Sequence, residues 1–205
     1  MDAIRDGVGD RETEGSQGSE SDEQLMVAFC HGSRDAFSEL FSRYKQPLFG
    51  FFCRRLADPA QAEELTQETF LAVLRAASSY EPRALFRTYL YAIGLKILQA
   101  HRRKAALRAM LFGSHIGICK TSEPARDTQV FLRQAVGKLH PKDREIVLLR
   151  EFEQLSYEEI GKLLELSVNT VRSRLFRARM ALRNLLHSTS PASVAPKLAE
   201  SEERV

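Results

Sequence analysis

The chain has 205 residues, 43% of them hydrophobic and 28% charged, with a formal net charge of +3. That apolar content fills one or two cores of ordinary domain size and excludes disorder throughout. No run of about 18 apolar residues occurs, so direct membrane insertion is excluded. Residues 1–18 are polar and lack the apolar stretch of a secretory signal, which reads as a cytoplasmic chain. Cys30, Cys53 and Cys119 are scattered without a CxxC pair, and the five histidines stand apart from one another. Neither a disulfide framework nor a metal or cofactor site is expected.

Charge is divided unevenly. Residues 1–23 carry eight acids against Arg5 and Arg11, a net of −6, which leaves +9 on the remaining 182 residues. An acidic tail on a basic body suits a polyanionic partner. Residues 1–20, rich in Gly, Ser and acids, read as a disordered tail, and the Ser/Pro/Ala-rich residues 188–205 as a second one.

Between the tails the chain reads as all-α. Val27, Phe29, Phe37, Leu40, Phe41 and Tyr44 recur at near-helical spacing around a break at Gly32-Ser33. Pro47 is expected to open the next helix, which ends at a turn at Asp58-Pro59. From Ala62 to Ala77, the residues Leu65, Thr69, Phe70, Val73, Leu74 and Ala77 share one helical face. Glu81-Pro82 interrupts, and Phe86 to Lys104 forms a further amphipathic helix. Periodicity then weakens. Residues 105–126 read as a linker of 22 residues between two small helical domains, at 21–104 and 127–187. Fully extended it reaches roughly 70–75 Å, about two turns of B-DNA.

The second domain holds the most informative segment. Ser156 followed by Glu159 is a capping box that starts a helix at Tyr157. Ile160, Leu163 and Leu164 supply its buried face, and Gly161 is small where another helix approaches. Leu166 plugs a short turn, Ser167 caps the next helix, and Val171 and Leu175 bury it. The spacing predicts a helix-turn-helix whose second helix enters the major groove. Asn169, Thr170, Arg172, Ser173, Arg174 and Arg177 then lie on its other faces as DNA-contacting candidates.

Over these residues the chain resembles bacterial sigma-70-type factors of the extracytoplasmic-function (ECF) group. Leu155-Ser156-Tyr157-Glu158-Glu159-Ile160-Gly161 and Asn169-Thr170-Val171-Arg172-Ser173-Arg174-Leu175-Phe176-Arg177-Ala178-Arg179 are similar to the family's region four. Ala62-Glu63-Glu64-Leu65-Thr66-Gln67-Glu68-Thr69-Phe70 and Phe86-Arg87-Thr88-Tyr89-Leu90-Tyr91-Ala92-Ile93 resemble its region two. Tyr89 stands where the family has Trp, Leu95-Lys96 where it has Arg-Asn, Gln99 where it has Asp, Gly161 where it has Ala and Asn169 where it has Gly.

The resemblance implies that the first domain binds core RNA polymerase and recognises and melts the minus-ten element, while the second reads the minus-35 element. It implies docking on the clamp coiled coil through Glu64, Gln67, Glu68 and Phe70, with the polymerase flap as a further contact. An acidic-polar stripe beside an exposed aromatic suits helix docking; the alternative is a core Phe70 under solvated acids. Tyr89, Tyr91, Lys96, His101, Arg102 and Arg103 interleave rings with cations, which suits single-stranded DNA. Some of those tyrosines are alternatively core. Promoter DNA and an anti-sigma factor complete the implied partners. The function expected is a non-enzymatic sigma factor that directs polymerase to promoters; the alternative is a stand-alone helix-turn-helix regulator acting as a dimer on a palindromic site.

Overall fold

A computed structural model of the protein describes residues 20–112 and 127–188. The expected tails, apart from Glu20 and Ser188, and linker residues 113–126, with His115 and Cys119, lie outside the described residues. Every element among the described residues is helical, and the helices form two bundles.

The first bundle is built from α1 (Asp22–Cys30), α2 (Arg34–Cys53), α3 (Pro59–Ala76) and α4 (Phe86–Phe112), with a 3-10 turn at Ala77–Ser79. Ser21 and Gln24 close a capping box on α1, and Ser33 caps α2. Gly32, at φ +103°, makes the break between them, in a region that glycine enters without steric cost. Asp58 caps α3 by accepting from the Ala60 N–H at 2.9 Å, with Pro59 in the first helical position. Met26, Leu40, Leu48, Phe51, Phe52, Leu65, Val73, Phe86, Leu90 and Leu98 fill the core. The Thr66 and Thr69 hydroxyls are buried there, and each donates to the carbonyl four residues back at 2.7 Å. Cys30 and Cys53 are half-buried on helix faces; burial raises the pKa of the Cys30 thiol, which donates to the Ala77 carbonyl.

Two sequence expectations are corrected here. Pro47 does not open a helix but lies inside α2, where its ring is exposed. Leu40, Leu48, Phe51 and Phe52 share one buried face across it, so packing carries the helix through the missing N–H. Residues 105–112, expected in the linker, continue α4. Ala105 to Leu111 are strong helix formers, and Gly113 is the first breaker after them.

The second bundle comprises α5 (Asp127–Lys138), α6 (Pro141–Glu151), α7 (Tyr157–Leu164) and α8 (Val168–Ser188). Its core is Leu139, Ile146, Leu149, Leu155, Ile160, Val171, Leu175 and Ala178. The predicted capping box is present: the Glu159 N–H donates to Ser156 Oγ at 3.1 Å, and the Ser156 N–H donates to the Glu159 carboxylate at 2.6 Å. Gly161 earns its place at the turn. A Cβ there would stand 2.8 Å from the Leu166 carbonyl oxygen, a backbone atom that cannot swing aside.

The bundles meet along an ionic seam. Glu153, in the turn between α6 and α7, is fully buried and accepts from Arg55 Nη1 at 2.9 Å and Arg54 Nη2 at 3.2 Å. Arg55 Nε also donates to Glu145 of α6 at 2.9 Å, and its guanidinium lies 3.7 Å from the Phe51 ring centroid. At the other end, the Thr88 hydroxyl donates to the Glu159 carboxylate, with Arg87 Nη2 3.4 Å away.

The turn holds one local cost. Glu165 ends α7 at φ +56°, ψ +45°, the left-handed region that disfavours a Cβ. Glu165→Gly is expected to stabilise the protein by about 1 kcal/mol, raising Tm in thermal unfolding by about 2–4 °C.

Candidate nucleic-acid interface

The candidate duplex-reading surface is set by how α8 is rotated. Val171, Leu175 and Ala178 are buried against the bundle, so the residues between them turn outward. The three-residue turn Glu165-Leu166-Ser167 joins α7 to α8, and the Ser167 hydroxyl accepts from the Thr170 N–H at 3.2 Å. Asn169, Arg172, Ser173 and Arg177 are exposed, and Thr170 and Arg174 are half-exposed. Thr170 and Ser173 spend hydroxyl bonds on the helix itself, to Ser167 Oγ and the Thr170 carbonyl.

Arg172, Arg174 and Arg177 form no ion pair with any described residue. Arg179 differs, pairing with Glu151 at 2.6 Å. Free guanidiniums on an exposed helix face can bond guanine edges bidentately or neutralise phosphates. Phe176, 66% exposed, stands on the same side, one turn beyond Arg172. Sequence reasoning passed over it, although its spacing from Arg172 and Ser173 carried the signal.

On the first bundle, Glu64, Gln67 and Glu68 are exposed along α3 as expected. Phe70 is not the exposed aromatic of that stripe. It is 3% exposed and packs on Phe41 at 4.8 Å and edge-on to Phe37 at 6.2 Å. Phe41, Leu71 and Leu74 supply the apolar surface instead. Phe70 turns inward because it shares the face of α3 that carries Leu65, Thr66, Thr69 and Val73.

The six residues proposed along α4 divide. Tyr91 is buried 5.3 Å from Phe51, and burial is the main reason its hydroxyl pKa is pushed up to about 12. It is a core residue, which corrects its reading as a base-stacking ring. Tyr89 is half-buried, edge-on to Tyr80 at 5.1 Å, and burial raises the pKa of both hydroxyls. Lys96 and Arg103 are exposed seven and fourteen residues beyond Tyr89, so one ring and two cations line a single edge of α4. His101 Nε2 lies 3.2 Å from Gln61 Oε1, and the exposed Arg102 donates to the Arg55 carbonyl. Leu95, where the resembled family has Arg, is buried in the core.

A cavity of about 460 Å³ opens beside Tyr89. Tyr80, Glu81, Arg83, Thr88 and Tyr89 line it from the first bundle, and Lys162 and Leu163 of α7 close it from the second. The Tyr80 hydroxyl is buried and has no hydrogen-bond partner among the described residues. A ring-lined recess next to a row of cations can stack a base and hold its backbone.

A helix-turn-helix with unpaired arginines, joined in one chain to a helical module with a ring-and-cation edge, defines a two-module DNA-binding protein. Comparison with known proteins makes this specific. Residues 40–108 match Sigma-70 region 2, and residues 132–182 match Sigma-70, region 4. The RNA polymerase sigma-H factor of Pseudomonas aeruginosa is 31% identical over 182 residues, covering 82% of this chain and 94% of its own. The RNA polymerase sigma factor CarQ of Myxococcus xanthus is 36% identical over 170 residues, covering 78% and 95%. The ECF RNA polymerase sigma factor SigE of Mycolicibacterium smegmatis is 32% identical over 191 residues, covering 85% and 74%. Among solved structures, CnrH in complex with the cytosolic domain of CnrY aligns at a TM-score of 0.64 and 27% identity, over 83% of this chain and 100% of that one. The chain belongs to the sigma-70 family of RNA polymerase sigma factors, in its extracytoplasmic-function group.

Glu159 gives the helix-turn-helix a pH dependence. Burial alone would raise its pKa, but hydrogen bonds from Thr88 and from the Ser156 backbone and hydroxyl, with the Arg87 charge, outweigh it and hold the carboxyl below its usual value. The stability it contributes is therefore present above the ordinary carboxylate pKa and is lost as pH falls through the depressed one. Glu159→Gln keeps a capping side chain but removes the charge. Its Tm is expected to lie below that of the parent at neutral pH, and the gap to close on acidification, as read by thermal unfolding across a pH series.

Proposed function

We propose that this chain is a promoter-specificity subunit: it binds core RNA polymerase, directs it to particular promoters and helps open the DNA there. The observation that carries the reading is the combination, in one chain, of an arginine-bearing recognition helix and a separate ring-and-cation surface. The first suits duplex DNA and the second suits an unpaired strand. Arg172, Arg174 and Arg177, with Asn169, Thr170 and Ser173, contact the minus-35 element. Tyr89, Lys96 and Arg103, flanked by His101 and Arg102, hold the melted minus-ten strand. Glu64, Gln67 and Glu68 of α3, beside the apolar Phe41 and Leu71, dock on the clamp coiled coil of polymerase, and the second module meets the flap.

Such a subunit performs no covalent chemistry. Unstacking a base costs a few kcal/mol, and stacking on Tyr89 with phosphate contacts to Lys96 and Arg103 offsets it. The reading places the protein in the cytoplasm, with an anti-sigma protein as its regulator.

The two activities separate by mutation. Arg172→Ala and Arg177→Ala are each expected to weaken promoter binding by the polymerase complex by about 1–3 kcal/mol where the arginine reads a base. Assembly with core polymerase, measured by gel filtration, stays intact in both. Glu68→Lys is expected to do the reverse at the first step, lowering affinity for core polymerase by about tenfold or more. Arginine variants with parental promoter protection would contradict the assignment of α8, and parental polymerase affinity of Glu68→Lys that of α3.

A further inference from the structure

Residues 105–112 of α4 have no role in the function proposed above. Leu98 is the last buried residue of the helix, so about 20 Å of it lies beyond the core. Its neighbours stop short of that end. His101 meets Gln61 in the first turn of α3, and Arg102 donates to the Arg55 carbonyl just after the last turn of α2. Past them Leu107 is 58% exposed, Met110 84% and Leu111 67%. With Ala106 they fall at i, i+1, i+4 and i+5, one continuous stripe on the helix. Scattered apolar side chains at a surface are ordinary, but a stripe of three large ones marks an interaction site.

The charge around the stripe is of one sign. Between Phe86 and Phe112, α4 holds Arg87, Lys96, Arg102, Arg103, Lys104 and Arg108 and no acid. Lys104 and Arg108, four residues apart, run along one flank of the stripe, and Arg103 stands at its near end. None of these three pairs with a described acid.

That combination selects the partner. A second copy of the chain would bring the same cations face to face. Duplex DNA would satisfy the cations and leave the leucines and the methionine in water. The stripe is also the ridge of one helix beyond its neighbours, rather than a groove into which a partner helix could pack. An anionic lipid surface matches both halves: headgroup phosphates take the cations, whose stems lie along the apolar boundary, and acyl chains take the stripe. Lying in the interface is distinct from crossing it, and no described helix is long and apolar enough to cross.

We propose that the projecting end of α4 docks the free protein on an anionic lipid surface, with Leu107, Met110 and Leu111 in the interface and Arg103, Lys104 and Arg108 on the headgroups. Tyr89, Lys96, Arg103 and Met110 follow one another at seven-residue intervals, so the stripe continues the edge assigned to the melted strand. Lipid and strand therefore compete, a consequence that rests on the strand-holding role given to α4 above.

The test is co-sedimentation of the full chain with unilamellar vesicles. The parent is expected to sediment with mixed phosphatidylglycerol and phosphatidylcholine, to stay in solution with phosphatidylcholine alone, and to be released by salt. Leu107→Gln combined with Met110→Gln changes two exposed sites to another good helix former, and is expected to lower partitioning by about tenfold or more. Lys104→Gln with Arg108→Gln is expected to lower it by roughly tenfold. Oligodeoxythymidine is expected to displace the parent from the vesicles. Equal binding of the parent to both compositions, or binding unchanged by the Leu107 and Met110 substitutions, would overturn the proposal. A parent that ignores vesicles and self-associates through those two residues would assign the stripe to a second copy instead. Vesicle binding involves no polymerase, so its failure leaves the promoter-specificity reading standing, and failure of the oligonucleotide to compete counts against the strand-holding role alone.

Discussion

The rotational setting of α8 is the constraint on which the rest depends. Val171, Leu175 and Ala178 fall on one stripe and are buried to near zero exposure. That stripe decides which of the intervening side chains face solvent, and it turns Arg172 and Arg177 outward, with no ion pair to any described acid. The same stripe needs α7 at close range, and close range needs Gly161, whose absent Cβ leaves room for the Leu166 carbonyl. The capping box of Ser156 and Glu159 fixes where α7 begins, and so where the turn falls. A slip of one residue in α8 rotates the helix by about 100° and would bury an arginine.

Much of this was legible in the sequence because it is local. The Ser156–Glu159 capping box, the turn at Asp58-Pro59 and the break at Gly32 rest on residues within a few positions of one another. The buried stripe of α8 follows from helical period alone. Tyr91 and Phe70 could not be settled that way, since each lies at the margin of an apolar stripe and tertiary packing decided the matter. Phe41 and Phe37 drew Phe70 inward, and Phe51 did the same to Tyr91. Pro47 misled for a related reason: four buried apolar residues around it outweigh the local preference to break.

The seam was illegible because its partners are far apart in the chain. Arg55 and Glu153 are separated by 98 residues, and Thr88 and Glu159 by 71. In the sequence Glu153 is one acid among several and Arg54-Arg55 an ordinary basic pair. Only burial marks them out, because an ion pair at the surface contributes little, whereas one withdrawn from water must be matched in place. One carboxylate, Glu159, works at both scales: it closes the start of α7 and also ties that helix to α4. Local helix geometry and the relative placement of the modules are thereby coupled through a single side chain.

The account stands or falls on whether the chain acts through polymerase. The direct measurement is to mix the purified protein with bacterial core RNA polymerase and map transcription starts on a fragmented genomic template. A one-to-one complex that initiates at discrete sites sharing two elements about two helical turns apart is the predicted result. Tight binding to a palindromic site by a dimer of this chain, with no effect of polymerase, would contradict it and make the protein a stand-alone regulator.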